Sequence, residues 1–260
     1  MSGRIALLTS ITICIIILII YYEHKSKRYY SDLPVTSIHD YLKSTKTGDI
    51  LFTRSNYIRP KIVPRMYVMN LIQTLATKIP FSHVAVILRY SDIPQEYREK
   101  WNLNEKEDKE DRIYVYSSEG GENYDLITKK MKEGNSLRYA EDYMKNYNGL
   151  ITCIPVSGNV SHTTNITGNI SKVCEYMHKH RNRLFNRNLL RYFNLGLKTW
   201  ENTYDPAKCL CVETCYEFLK KLGMIRSFDL SNDHSTNMGL LEILQEAQAS
   251  DMYKNLLMLQ

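Results

Sequence analysis

Three side chains in this sequence could together move an acyl group: a thiol at Cys211, an imidazole at His83 and a carboxylate at Glu119. The thiol lies in Cys209-Leu-Cys-Val-Glu-Thr-Cys-Tyr-Glu-Phe-Leu-Lys-Lys-Leu-Gly223, where Val212, Cys215, Tyr216, Leu219 and Leu222 recur at three- and four-residue spacing. That spacing predicts a helix with one apolar face. Glu213 falls in its first turn, Lys220 and Lys221 in its last, and Gly223 where a helix would stop. A thiol at the start of such a helix meets unpaired N–H groups and the positive end of the dipole, which favour thiolate over thiol. Cys215, one turn on, falls on the apolar face and reads as packing, while Cys209 precedes the helix. Most buried cysteines do no chemistry, so the nucleophile reading depends on a base.

His83 is the candidate base. It opens Phe81-Ser-His-Val-Ala-Val-Ile-Leu88, the most apolar strand after the N-terminus, whereas His24, His39, His162, His178, His180 and His234 lie in polar or loop-like sequence. A base must be held by the core yet reach a cleft, and the end of a central strand provides both. Glu119 follows the strand Ile113-Tyr-Val-Tyr and precedes two glycines that let backbone approach closely. It is the candidate acid for orienting the imidazole, with Glu122 and Asp125 in reserve. Asp49, in Thr47-Gly-Asp-Ile-Leu-Phe52, reads as a turn or cap residue before a buried strand. Glu213 reads as buried support near the site.

The rival use of Cys209, Cys211 and Cys215 is a metal site. Their C-x-C-x3-C spacing is not a usual zinc pattern and no second knuckle accompanies it. No metal and no cofactor is therefore expected. The formal charge of +6 is not gathered in one basic run, so a nucleic-acid partner is not indicated. At 260 residues the chain can bury one full core.

Residues 5–22 are almost unbroken apolar sequence without charge, closed by Tyr21 and Tyr22. That length is near the minimum for a bilayer-spanning helix, about 17–25 residues, and the tyrosines suit the interfacial belt. A cleaved signal peptide would have a shorter apolar stretch and small residues at its end. An uncleaved single-pass anchor is predicted. Lys25, Lys27 and Arg28 place the remainder in the cytosol by the positive-inside bias. The sequons at Asn159, Asn165 and Asn169 argue for the other side, although a Ser/Thr/Asn-rich loop generates them by composition.

The expected organisation is an anchor over 1–24, a tether over 25–46, a catalytic domain over 47–224 and a helical extension over 225–260. Within it, helices are predicted over 63–79, 137–144, 170–185 and 238–257, and a strand over 150–154. Residues 91–111 read as a solvated, charged insertion.

Taken in order, Gly48-Asp-Ile-Leu-Phe, Phe81-Ser-His-Val-Ala-Val-Ile-Leu, the strand ending near Glu119 and Cys211-Val-Glu before an amphipathic helix resemble the circularly permuted NlpC-type, papain-like thiol hydrolases. That group includes bacterial lipoprotein-like hydrolases and a poxvirus protein and is related to the lecithin retinol acyltransferase group. The resemblance spans about 47–224. It implies an α+β fold, a small antiparallel sheet packed against helices, in which the histidine precedes the cysteine. His83 and Cys211 match those two positions and Glu119 the third, polar one. Many members carry Cys-Ser-Glu; here Val212 stands for the serine and Glu213 is kept. The expectation is a membrane-anchored thiol hydrolase or acyltransferase acting on an amide, ester or thioester, with an acyl or peptide substrate that the anchor would suit to lipid linkage. A virion membrane is one location it suggests. The alternative is a non-catalytic, membrane-tethered binding or structural protein of the same fold.

Overall fold

Short apolar runs rich in β-branched and aromatic residues build the centre of this protein. The computed structural model describes residues 2–55, 81–103, 112–157, 166–187, 207–225 and 240–260, and the predicted helix over 63–79 lies outside them. The chain divides into two units, Met1–Pro34 and Val35–Gln260.

The first unit is a helix, Ser2–Ser31. Its thirty residues run about 45 Å at 1.5 Å per residue. It extends nine residues beyond Tyr22 into what the sequence presents as tether. Among the described residues, no helix is long and apolar enough to cross a membrane. Several side chains of the 5–22 run lie outside the described set.

The second unit is α+β. Its sheet comprises β1 (Val35–Thr36), β2 (Ile50–Ser55), β3 (His83–Arg89), β4 (Ile113–Asp125), β5 (Lys130–Tyr139), β6 (Gly149–Ile154) and β9 (Leu257–Leu259). They lie in the order β1-β9-β6-β2-β3-β4-β5. All neighbours are antiparallel except β1 and β9. A parallel pair, β7 (Leu184–Phe185) and β8 (Lys208–Cys209), lies apart. Strand β3 is buried along its interior, which explains why its sequence is continuously apolar rather than alternating.

Side chains on successive strand residues point to opposite faces. Leu51, Ala85, Ile87 and Val115 form one cluster with Tyr41, from the helix Ile38–Ser44, and with Tyr143 and Met144, from the helix Ala140–Asn146. The helix Cys211–Leu222 packs against β3 and β4, with the Phe218 and Tyr116 rings 6.1 Å apart. It ends at Gly223, whose φ of +80° is the left-handed conformation that glycine adopts freely. Met224 N–H closes the end on Leu219 O at 2.9 Å. Gly48 also has a positive φ, +97°, and a Cβ there would lie 2.3 Å from Met224 Sδ. The turn before β2 therefore sits directly on the end of the cysteine helix.

Several sequence expectations change. The strand predicted over 112–117 runs on to Asp125, so Glu119 lies within β4 rather than in a loop beyond it. Its partner β5 replaces the first residues of the helix predicted over 137–144, which instead spans Ala140–Asn146. Long-range pairing in this hairpin overrides local preference, because β5 carries charges on its exposed side and lacks a clean alternation. A Cβ at Gly121 would meet nothing within 4 Å, so that glycine serves no close approach. The 91–111 segment is not wholly solvated. Ile93, Tyr97, Trp101 and Leu103 are buried around the helix Gln95–Lys100. The helix predicted over 170–185 begins at Ile166 and ends at Lys179. Asn169 thus sits in a helix, donating to Leu222 O at 3.3 Å, rather than in a sequon-bearing loop. Asn159 and Asn165 lie outside the described residues. The predicted helical tail is a helix over Leu240–Ala249 followed by β9, which enters the sheet between β1 and β6. A three-residue strand leaves no period to read.

Candidate active site

The site is built where three elements meet: the start of β3, the middle of β4 and the N-terminus of the cysteine helix. His83 stands first in β3, paired with Thr53 of β2. Its Nε2 lies 3.4 Å from Glu119 Oε1, both side chains being largely buried. That is ion-pair distance with an alignment short of a well-formed hydrogen bond. The Cys211 thiol lies near enough to the imidazole to raise its pKa. The structure thus brings Cys211, His83 and Glu119 together.

Electrostatics at the imidazole are strongly biased. Burial pushes His83 down, but Cys211 and Glu119 outweigh it and raise its pKa from 6.5 to about 10. Burial likewise pushes Glu119 up, and the Arg138 guanidinium, His83 and Ser117 outweigh that, bringing its pKa from 4.5 to about 2. The carboxylate is held on several sides. Arg138 Nη2 contacts its Oε1, Ser117 Oγ donates to Oε1 at 3.1 Å and Asn123 Nδ2 to Oε2 at 3.2 Å. Arg138 in turn donates to Asn123 Oδ1 at 2.9 Å and stacks over the Tyr143 ring at 4.5 Å. An imidazolium is therefore stabilised against a carboxylate that is itself locked in orientation.

These shifts fix a pH dependence. A raised histidine pKa stabilises the folded chain fully below the unfolded value near 6.5 and loses that contribution as pH rises toward about 10. A lowered glutamate pKa contributes fully above 4.5 and is lost as pH falls toward about 2. Both contributions are complete between pH 4.5 and 6.5. His83→Gln is expected to flatten the fall in urea midpoint between pH 7 and 10. An unchanged slope over that range would show that His83 does not carry the raised pKa.

Glu213 occupies the third position of the cysteine helix and accepts the Leu210 N–H at 2.9 Å. This is the return half of a capping box, and it fixes where the helix begins and hence where Cys211 stands. Asp49 is distant from the site. It stands just before β2, next to Ile50, which pairs with Ile154, and precedes Thr53, the partner of His83, by four residues, about 13 Å along a strand. Its carboxylate accepts from Tyr41 OH at 3.0 Å, Thr45 Oγ1 at 2.6 Å, Lys46 N–H at 3.1 Å and Val156 N–H at 2.7 Å. Burial still pushes its pKa up despite these bonds. Asp49 ties the turn before β2 to the end of β6.

The reserve acids part ways. Asp125 is fully buried and accepts from Leu137 N–H, Thr128 and Lys132, closing the β4–β5 turn. Glu122 is exposed near the bulge between Glu119 and Asn123. Cys209 is buried with its sulfur 2.9 Å from Asn135 Oδ1 and 3.2 Å from Ser118 Oγ. Burial pushes the thiols of Cys209 and Cys215 up, so both suit packing rather than attack. Among the described residues no group of three or more His, Cys, Asp or Glu side chains could hold a metal ion.

Sequence reasoning missed Arg138, Ser117 and Asn123. Arg138 reaches Glu119 only through the register that sets it opposite Val115, two residues before Ser117 on the same face. The alternation Val115, Ser117, Glu119 would have placed the serine beside the acid once β4 was known to continue. A cleft of ≈380 Å³ opens beside Glu119 and Arg138, walled by Tyr143, Tyr147 and Asn123. No protein-family model matches this sequence, and no curated protein matches it.

Proposed function

We propose that this protein is a thiol hydrolase or acyltransferase with Cys211 as nucleophile, His83 as its base and Glu119 as the residue orienting the imidazole. The observation that carries the reading is that His83 has the Glu119 carboxylate 3.4 Å from its Nε2 and feels the Cys211 thiol, both raising its pKa. The order of histidine, acid and cysteine along the chain agrees with the resemblance to permuted NlpC-type, papain-like hydrolases.

In this reading the Cys211 proton already rests on His83 as a thiolate–imidazolium pair, and the sulfur attacks an acyl carbonyl. The tetrahedral oxyanion is received by first-turn N–H groups of the cysteine helix, including that of Cys211. Leu210 N–H is already bound to Glu213 and does not contribute. His83 then donates its proton to the leaving amine, alcohol or thiol. Water, or another acceptor in a transferase, attacks the thioester carbonyl and releases the thiol. Glu119 keeps the imidazole in one tautomer and orientation throughout.

We also propose that the Ser2–Ser31 helix is the membrane anchor. Its continuous helical backbone over the uncharged 5–22 sequence supports this. An anchored site suits a lipid or lipid-linked acyl substrate, and the positive-inside bias favours the cytosolic side.

The deciding experiment is mass spectrometry after exposure to an activated acyl thiol probe. One acyl adduct is expected on the peptide bearing Cys211 and none at Cys209 or Cys215. An adduct only at another cysteine, or none at all, would favour the non-catalytic binding module.

A further inference from the structure

A second pocket lies at the opposite end of β3 from His83. From His83 to Arg89 the strand covers seven residues, six steps or about 20 Å, and Tyr139 lines both this pocket and the cleft beside Glu119. The pocket has a volume of about 550 Å³ and is lined by His39, Lys43, Arg89, Arg112, Tyr139 and Glu141 among others. Such a volume falls within the usual range for small-molecule sites, about 300–1,000 Å³.

Among the described lining residues, Lys43, Arg89 and Arg112 face the pocket with one carboxylate, Glu141. That carboxylate is drawn outward to Lys145 at 2.6 Å. Lys145 foremost, with Arg112 and His39 also acting on it, holds the Glu141 carboxyl below the ordinary range. Arg89 is anchored by donation to Thr45 O at 3.0 Å, and Arg112 lies 5.0 Å from the centre of the Tyr139 ring. The Arg89 guanidinium is thus held from the end of the helix Ile38–Ser44 and that of Arg112 from β5. Lys43, 3.9 Å from exposed Asp40, reaches in from the helix Ile38–Ser44. Leu42 and Ile113 supply an apolar portion of the wall.

We propose that this pocket binds a dianionic phosphomonoester carried on a small organic group. Guanidinium forks match phosphate oxygens in geometry, and two of them with a lysine suit a doubly charged group better than a single carboxylate. The apolar wall accommodates the glycerol-like portion to which the phosphate is attached. The same chemistry is offered by a soluble phosphate ester and by a phosphatidic headgroup. Only residues 32–37 separate the Lys43 helix in sequence from the Ser2–Ser31 helix.

Calorimetric titration of the full chain in neutral detergent tests the proposal. The probes are glycerol 3-phosphate and dihexanoyl phosphatidic acid, with dihexanoyl phosphatidylcholine as the phosphodiester control. Saturable binding of a phosphomonoester is expected. The exposed substitution Lys43→Glu should weaken it at least about fivefold, and Glu141→Gln should tighten it about two- to fivefold. Tighter binding of the phosphatidic acid than of glycerol 3-phosphate assigns the lipid headgroup; equal or weaker binding assigns the soluble ester. The proposal is overturned by an absence of saturable binding to both phosphomonoesters. It is equally overturned if phosphatidylcholine binds as tightly, or if the affinity is indifferent to both substitutions.

Discussion

Cys211→Ala is expected to abolish the acyl adduct and to slow turnover of an acyl probe by about 10⁴- to 10⁶-fold, the scale on which removal of a covalent nucleophile acts. His83→Ala should fall in the same range. The two groups act as one unit, since the sulfur needs a proton acceptor before it can attack and the same imidazole then hands that proton to the leaving group. The double variant should accordingly be no slower than either single one. Glu119→Gln should be less damaging, about 10²- to 10⁴-fold, because Asn123 and Ser117 can still hold an amide while the charge facing the imidazole is lost. Initial rates of probe hydrolysis across the four proteins measure this. Losses that multiply in the double variant would mean that Cys211 and His83 act separately, and the proposed mechanism would fail.

Asp49→Ala carries the largest expected effect on stability, a loss of roughly 3–5 kcal/mol in urea unfolding. The side chain is 1% exposed and accepts four hydrogen bonds from three parts of the chain. Removing it strands the Val156 and Lys46 N–H groups and the hydroxyls of Tyr41 and Thr45 in the interior. The turn it closes also contacts the end of the cysteine helix through Gly48, so part of the loss should appear as poorer positioning of that helix. Asp49→Asn keeps one acceptor and should lose about half as much. A midpoint shift under 1 kcal/mol for the alanine variant would show that water replaces the carboxylate, contrary to the packing described. Asp49 thereby differs from Glu119. Both are buried acids, but the former binds neutral donors within the scaffold while the latter faces a titrating imidazole.

Local sequence determined the elements whose signals are periodic or terminal. The cysteine helix was legible from its apolar spacing, its end charges and Gly223, because each of these acts within a few residues. Strand β3 was legible because burial on both faces forces continuous apolar sequence. His83 and Cys211 could be singled out by their positions at the starts of those elements. What the sequence could not supply was anything set by pairing across distance. The extension of β4 through Glu119, the existence of β5 and the placement of Arg138 depend on hairpin register. The entry of β9 into the sheet depends on an edge that only the folded body offers. The same holds for the site itself: 128 positions separate the imidazole from the sulfur, and only tertiary packing of the helix on β3 and β4 brings the two residues near each other. Side-chain chemistry is written locally, but proximity comes from long-range burial, which no short window of sequence contains.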